Sequence, residues 1–440
     1  MRLPDTSSTS SAWRALSLEV MGRRLAAVDA QTYWMSAKIP SDQFLLYGFA
    51  GTVDDLPAAV ARTRDRARDR PELRLRLRDG GALAYPHWVS DGVSANQFVI
   101  HAAGSSWPEC LARVAGLAAD QLDPRVMAWR IHIFPAVSGV PDAGRGTVAV
   151  VQVAHALGDG IRSSALAARL FGRPAQVAAV PEPELFGGLR LPWLGLRAAR
   201  AHRRLVRDTA AGAVPPPAAS RPALRTNARP DGLRSVRTLV RRRSQVPGPT
   251  VTVGVLAVVS AALAAHLREL GDDPSQLGAE VPMAKAGARR AHNHFGNVGV
   301  GLYPDLPFAE RAARIAADLQ DRRRRATHPA IVAADRASAA VPAPLLRWGV
   351  GHFDPTVRSP TVTGNTVVSS VHRGPADLHF GQAPVVLSAG FPGLSPMMGL
   401  THGVHGIGET IVVSVHAVES AIGDMDSYVE RLEAAFPTRV

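Results

Sequence analysis

The sequence has almost no cysteine and almost no lysine. Cys110 is the single cysteine among 440 residues, so an intramolecular disulfide and a cysteine-rich zinc site are both excluded. This sparing use of cysteine fits a reducing compartment. Lys38 and Lys285 are the only lysines, and we attribute the preference for arginine to the composition of the source genome rather than to chemistry.

Two kinds of targeting segment are also missing. Residues 1–12 are rich in serine and threonine, and no basic stretch followed by an apolar stretch is present, so we expect no secretory signal and a cytoplasmic location. The longest uncharged stretch covers residues 244–267. Because the stretch contains proline and glycine, the apolar helix that it can form is limited to about residues 253–265. This helix is shorter than the ~20 residues of a membrane span. This stretch therefore predicts a buried core helix.

The positive charge is concentrated in one segment. The formal net charge of the chain is +13, whereas residues 186–245 contain 14 arginines and two aspartates, a net charge of 14 − 2 = +12. The rest of the chain is therefore nearly neutral. A nucleic-acid role would need a recognisable binding fold beside the basic patch, and the sequence shows none, so no nucleic-acid partner is expected.

The segment from Arg190 to Arg207 combines six arginines with leucines and a tryptophan. Basic segments with tryptophan and leucine are typical of helices that lie on a membrane surface. We therefore consider this segment a candidate for docking on an anionic membrane or a lipid-droplet surface, which would make the protein peripheral. A solvated helix beside a linker and a binding site for the phosphates of CoA are the alternatives.

The order of helix-like and strand-like patterns predicts two layered α/β domains. Residues 208–232 are rich in alanine and proline and nearly free of large apolar side chains, which is typical of a linker. The predicted division is therefore a first domain at 1–205, a linker at 206–232 and a second domain at 233–440.

The most informative segment is a β-rich run, residues 147–154, followed by His155, Gly158-Asp159-Gly160 and an apolar helix. A histidine at the end of a strand and held by a tight turn is placed to take a proton from a substrate. Asp159 occupies the N-cap position of the helix. No Gly-x-Ser-x-Gly element is near, so His155 is predicted to be a general base on a hydroxyl or amine. The alternative is a core histidine next to a helix cap.

The motif His155-x-x-x-Asp159-Gly160 resembles the active-site motif of the acyl-CoA-dependent acyltransferase superfamily. Three further segments, in the same order, narrow the resemblance to the bacterial wax ester synthase/diacylglycerol acyltransferase family. They are Val28-Asp29-Ala30 with Tyr33-Trp34, Gln121-Leu122-Asp123 with Trp129-Arg130-Ile131-His132, and Phe295-Gly296-Asn297-Val298 ahead of Leu302-Tyr303. The resemblance covers nearly the whole chain, although each segment is short.

The resemblance implies two chloramphenicol-acetyltransferase-like subdomains of α/β class, with a channel between them and His155 at their interface. It implies an O-acyltransferase in which His155 deprotonates an alcohol, such as diacylglycerol or a fatty alcohol, for attack on a long-chain acyl-CoA. Asp159 would support the loop and Gly160 would permit the turn. Acyl-CoA would be a co-substrate, and no cofactor is implied.

The chain departs from the family pattern at three places. Ala154 replaces the first of two adjacent histidines, Thr252-Val253 replaces an Asn-Asp pair, and residues 369–375 are the nearest equivalent of a Ser-Asn-Val-Pro-Gly-Pro element. These departures leave open a condensation-type enzyme of specialised metabolism with another donor or acceptor, or a catalytically silent lipid-binding homologue. The oxyanion of the tetrahedral intermediate needs a hydrogen-bond donor, and Asn297 and Ser370 are the candidates for substrate binding there.

His402 and His405 lie close together in a glycine-rich segment. No cysteine or carboxylate stands at ligand spacing from them, so no metal site is expected. The segment is predicted to form a turn before the last strand.

Overall fold

The computed structural model describes residues 22–184 and 187–437 of the chain. The expectation about a secretory signal concerns residues that lie outside this part. The helices are α1 Ala27–Ser36, α2 Leu56–Arg68, α3 Trp107–Leu117, α4 Gly160–Leu170, α5 Leu191–Ala210, α6 Val251–Glu269, α7 Phe308–Ala326, α8 Pro329–Ala339, α9 Ala343–His352, α10 Glu419–Ile422 and α11 Met425–Ala434. The strands are β1 Arg23–Arg24, β2 Gln43–Ala50, β3 Leu75–Arg78, β4 His87–Ser90, β5 Phe98–Ile100, β6 Trp129–Val140, β7 Gly144–Val153, β8 Arg221–Pro222, β9 Arg234–Arg242, β10 Gly278–Ala284, β11 Phe295–Gly301, β12 Thr361–Val362, β13 Thr366–His372, β14 His379–Phe380, β15 Ala383–Gly390, β16 Leu400–Ile407 and β17 Thr410–Val418.

Two six-stranded sheets form the framework of the protein. The first sheet has the strand order β14-β15-β2-β7-β6-β5, and the second has the order β11-β10-β13-β16-β17-β9. Most neighbouring strands are antiparallel, but β13 runs parallel to both β10 and β16. Helices pack on each sheet over its own apolar core. The predicted mixed α/β class with two sheet-centred halves is therefore confirmed.

One strand crosses between the two halves. β15 belongs to the second half in sequence but pairs antiparallel with β2 of the first sheet, where Gly390 lies opposite Leu45. Helix α5 also runs through the predicted boundary at residue 205. The predicted linker is partly packed, because buried Asn227 donates from Nδ2 to the carbonyl oxygens of Gly364 at 3.1 Å and Met397 at 3.0 Å. The bounds 1–205, 206–232 and 233–440 stay a prediction.

Strand β7 and helix α4 fix the start of the motif. β7 lies between β2 and β6, and its residues from Gly146 to Val153 are buried. A segment rich in valine suits a strand that is covered on both faces. A single turn of 3-10 helix, His155–Leu157, then leads into α4. Asp159 caps this helix by accepting a hydrogen bond from the Arg162 backbone nitrogen at 3.0 Å.

The apolar stretch near residue 255 forms helix α6, which confirms the predicted core helix. In the described part of the chain, α6 is the one helix long and apolar enough to cross a membrane, but most of its residues are buried. The Thr250 hydroxyl caps it, accepting from the Val253 backbone nitrogen at 3.2 Å. Gly254 permits close packing, because a Cβ there would come within 1.8 Å of the Pro247 carbonyl oxygen.

The predicted turn around His402 and His405 is wrong, because both residues belong to strand β16 in the middle of the second sheet. The glycines have a packing role instead. A Cβ on Gly403 would come within 2.2 Å of the Gly390 carbonyl oxygen, so glycine here allows the two sheets to approach closely. His402 and His405 are three residues apart and therefore face opposite sides of the sheet.

Candidate active site

His155 lies where β7 ends and the 3-10 turn begins. Its ring is stacked on Phe295, with ring centroids 5.8 Å apart, and its backbone carbonyl accepts a hydrogen bond from Asn293 Nδ2 at 2.9 Å. The Nδ1 atom is buried and has no hydrogen-bond partner among the described residues. Burial lowers the pKa of His155 below its ordinary value, because a charged imidazolium loses its hydration. The ring is therefore neutral near pH 7 and able to accept a proton.

Asp159 connects the motif to the second half of the chain. Its carboxylate accepts hydrogen bonds from Arg289 Nη1 at 2.8 Å and Nη2 at 3.2 Å, and from the His294 backbone nitrogen at 2.9 Å. Burial alone would raise the pKa of Asp159, but these bonds and the charge of Arg289 hold it below its ordinary value. Asp159 is thus an ionised helix cap that holds the segment 289–294 against the start of α4.

Asp29 belongs to the site, although the sequence analysis gave it no role there. Its two carboxylate oxygens accept from the backbone nitrogens of His292 and Asn293, both at 2.8 Å, and from Asn293 Nδ2 at 3.0 Å. Burial raises the pKa of Asp29 to about 6 despite these bonds. Since Asn293 also holds the His155 carbonyl, Asp29 positions the histidine through it. The sequence signal that finds Asp29 is the Val28-Asp29-Ala30 resemblance.

A cavity of about 730 Å³ lies between the two halves. This volume falls within the range of ~300–1,000 Å³ that is usual for small-ligand sites. All five predicted site residues line the cavity: His155, Asp159, Gly160, Asn297 and Ser370. The structure therefore brings together residues from the two halves of the chain. Their roles in binding and catalysis stay predictions.

Gly160 lies at the contact between the halves. A Cβ on Gly160 would lie 3.4 Å from a methyl group of Val371 on β13, so a larger residue would press on the strand that carries Ser370. The space at Gly160 therefore admits a methyl group in ordinary contact with Val371 but is bounded by the second sheet.

The two candidate oxyanion donors lie on neighbouring parts of the second sheet. Asn297 is two residues after Phe295 on β11 and therefore shares its face, and its Nδ2 donates to Glu280 Oε2 at 3.2 Å. Ser370 Oγ on β13 accepts from Thr252 Oγ1 at 2.9 Å. A hydroxyl that accepts one hydrogen bond keeps its own proton for donation, so Ser370 retains a donor for a ligand.

The described residues contain no cluster of three or more histidine, cysteine, aspartate or glutamate side chains arranged to hold a metal ion. His402 bonds instead to Thr366 Oγ1 at 2.9 Å and to the Tyr428 hydroxyl at 2.7 Å. His405, on the opposite face of β16, lines the cavity together with Arg373. The sequence analysis named His405 only as part of a predicted turn and Arg373 only within residues 369–375, and it gave neither residue a role in the site.

No protein-family model and no curated protein sequence matches the chain. Among solved structures, it is similar to the wax ester synthase/diacylglycerol acyltransferase from Marinobacter aquaeolei VT8, with a TM-score of 0.61, 18% sequence identity, and coverage of 94% of this chain and 98% of that one. It is also similar to a starter condensation domain of rhizomide synthetase solved in complex with C8-CoA and Leu-SNAC, with a TM-score of 0.55, 15% identity, and coverage of 96% and 94%. At these identities the similarity concerns the fold. The chain therefore has the two-subdomain fold seen in these two proteins, as the motifs predicted.

Proposed function

We propose that the chain is an acyltransferase that moves an acyl group from acyl-CoA to the hydroxyl of an alcohol, such as diacylglycerol or a fatty alcohol. The observation that carries the proposal is the placement of His155, a neutral base in the wall of a cavity between two halves of the chain. Asn293 holds its backbone and Phe295 holds its ring. The fold similarity to a wax ester synthase/diacylglycerol acyltransferase supports the same activity.

The proposed reaction needs no covalent enzyme intermediate. Because Nδ1 of His155 is buried, we assign Nε2 as the base that removes the proton of the alcohol hydroxyl. The alcohol oxygen then bonds to the thioester carbon, and Ser370 or Asn297 donates a hydrogen bond to the oxyanion. The carbon–sulfur bond breaks, the ester forms, and the CoA thiolate takes the proton back from His155.

Release of free CoA thiol tests this proposal. Purified protein is mixed with a long-chain acyl-CoA and a panel of alcohols. We expect thiol release that requires an alcohol, is lost in His155→Ala and persists in His379→Ala, since His379 is exposed and lies outside the cavity lining. Binding of acyl-CoA or lipid without turnover from any donor would instead identify a silent lipid-binding homologue.

A second candidate is an acyltransferase that takes its acyl group from a carrier protein. The fold similarity to a condensation domain of a synthetase is compatible with this candidate, whereas the C8-CoA bound in that structure is itself a CoA thioester. The same assay separates the two candidates, because a carrier-dependent enzyme turns over acyl-carrier protein but no CoA thioester. His155 has the same role in both.

We also propose that the protein docks on anionic membrane or lipid-droplet surfaces from the cytoplasm. Trp193 and Leu196 on α5 are 54% and 50% exposed, and Leu345 and Trp348 on α9 are 52% and 61% exposed. Arginines surround the first pair along residues 190–207. Exposed tryptophan and leucine beside arginine suit the interface of an anionic bilayer.

The residues just before α5 and α9 are in contact. A Cβ on Gly188, just before α5, would lie 3.4 Å from Pro342, the residue that precedes α9. The proposal of a docking surface rests on α5, where the exposed apolar side chains and the arginines belong to one helix.

A further inference from the structure

Arg373 is a buried cation in the wall of the cavity, and it has no anionic partner. The residue is 5% exposed, and the ion pairs of the described residues do not include it. Three carboxylates line the cavity, and each has other partners: Asp159 is bound to Arg289, Asp42 accepts from Gln152, and Glu280 accepts from Asn297. The charge of Arg373 is therefore uncompensated within the described protein.

The contacts of the Arg373 guanidinium leave one nitrogen, Nη2, for a ligand. Nη1 donates to the Leu46 carbonyl oxygen at 3.3 Å, and the cation lies over the Tyr47 ring, 5.0 Å from its centroid. The Tyr47 side chain also interacts with the charge. Nε is buried and enclosed by protein atoms. Nη2 lies beside Gly390 and is therefore the nitrogen that can donate a charge-assisted hydrogen bond to a carboxylate in the cavity.

His405 stands on the other side of the same space. It is 6% exposed, and its Nδ1 is buried without a hydrogen-bond partner among the described residues. A Cβ on Gly390 would come within 2.7 Å of His405 Cε1. Burial, and then the charge of Arg373, hold the pKa of His405 well below its ordinary value, so it is a neutral ring. Gly390 thus lets the Arg373 and His405 side chains come close to its backbone and to each other at the cavity wall.

We infer that the substrate held in the cavity carries a carboxylate, which binds to Arg373 Nη2 with His405 beside it. This inference rests on the proposed function, and its favoured acceptor is a hydroxy acid instead of a simple fatty alcohol. An unpaired buried charge is costly, and an anion that accepts a charge-assisted hydrogen bond from it offsets that cost. A monocarboxylate suits the site better than the phosphates of CoA, since a dianion costs more to bury.

Direct binding tests the inference without turnover, so it is independent of the acyltransfer assay. The probes are ω-hydroxyhexanoate and hexanediol, which differ in the terminal carboxylate, measured by calorimetry. Hydrogen bonds to a charged group lead us to expect that the hydroxy acid binds about 10- to 100-fold more tightly. Arg373→Gln should abolish this preference and Arg373→Lys should keep part of it. Arg237→Gln, a control outside the cavity, should keep all of it.

The outcomes separate the sources of the carboxylate. Adipoyl-CoA and hexanoyl-CoA make the same comparison for the acyl donor. If adipoyl-CoA binds more tightly than hexanoyl-CoA and Arg373→Gln removes the difference, while the hydroxy acid and the diol bind equally, the carboxylate belongs to the acyl donor. Equal binding of both members of each pair to the unaltered protein overturns the inference, and so does a preference that survives in Arg373→Gln. If Arg373→Gln does not fold, the comparison of the ligand pairs on the wild-type protein alone decides the test. We expect Arg373→Gln to unfold at the same or a higher temperature than the wild type, because an uncompensated buried charge is removed.

Discussion

Replacing Arg289 by methionine tests whether the ion pair with Asp159 holds the two halves of the site together. The side chains of this pair are 13% and 6% exposed, and the closest nitrogen–oxygen distance is 2.8 Å. Removing one partner of such a buried pair costs about 3–5 kcal/mol of unfolding free energy, because the other charge is left buried. The exposed pair of Arg125 and Asp123 has the same distance with side chains 57% and 41% exposed, and Arg125→Met is expected to change the unfolding free energy far less than Arg289→Met, because water screens both charges.

The loss in Arg289→Met should depend on pH in a defined direction. In the native pair the pKa of Asp159 is low, so the pair stabilises the fold above the ordinary pKa of an aspartate and loses its effect as the pH falls through the native pKa. Without Arg289, burial raises the pKa of Asp159. The difference in unfolding free energy between wild type and variant should therefore be largest near pH 7 and shrink on acidification.

Urea unfolding and steady-state kinetics measure these effects. We expect kcat to fall by about a hundredfold, because a shift of ~1 Å in the segment that carries Asn293 and Phe295 misplaces His155. In the double variant Asp159→Asn with Arg289→Met, the loss of unfolding free energy should be smaller than the sum of the losses in the two single variants, because the two residues interact directly. The reasoning would be refuted if Arg289→Met lowered the unfolding free energy by less than about 1 kcal/mol, or if this loss did not depend on pH.

Three further predictions concern the base, the oxyanion and the docking face. The rate of thiol release should rise with pH and level off below the ordinary pKa of histidine, because burial favours neutral His155; a plateau reached only above pH 7 would contradict this. Ser370→Ala should lower kcat by about 100-fold or more, while Ser369→Ala, a second serine in the cavity lining, should have a small effect; equal losses would remove Ser370 from the oxyanion role. Glutamine at the six arginines of residues 190–207 should abolish co-sedimentation with anionic liposomes and leave soluble-substrate turnover intact, and unchanged binding would refute the docking proposal.

The motif and its flanking elements could be predicted because their signals are local. The run of valine predicted a strand at 147–154 and the periodicity predicted a helix at about 161–171, and the structure has Gly144–Val153 and Gly160–Leu170. Strand, turn and cap are each set by a few adjacent residues. The placement of His155 at the cavity wall follows from this short segment.

The partners of the motif could not be predicted from the residues alone. Arg289 and Asn293 contact the motif from more than a hundred residues away in sequence, and they lie in an irregular segment between β10 and β11 that has no periodic pattern. The packed part of the predicted linker shows a related limit. The apolar content of a segment indicates how much apolar surface it can bury. Asn227 instead holds this segment through hydrogen bonds from its side-chain amide to backbone carbonyl oxygens.

Strand β15 makes the two halves mutually dependent for folding. If the chain were cut after the predicted linker, the first fragment would lack β15, and β2 would become an edge strand of the first sheet. Long, apolar edge strands such as this promote aggregation. The two halves would therefore not be expected to reassemble as freely diffusing fragments. The same strand ends at Gly390, beside Arg373 and His405, so the pairing of β15 with β2 also fixes the part of the cavity wall at which a carboxylate would bind.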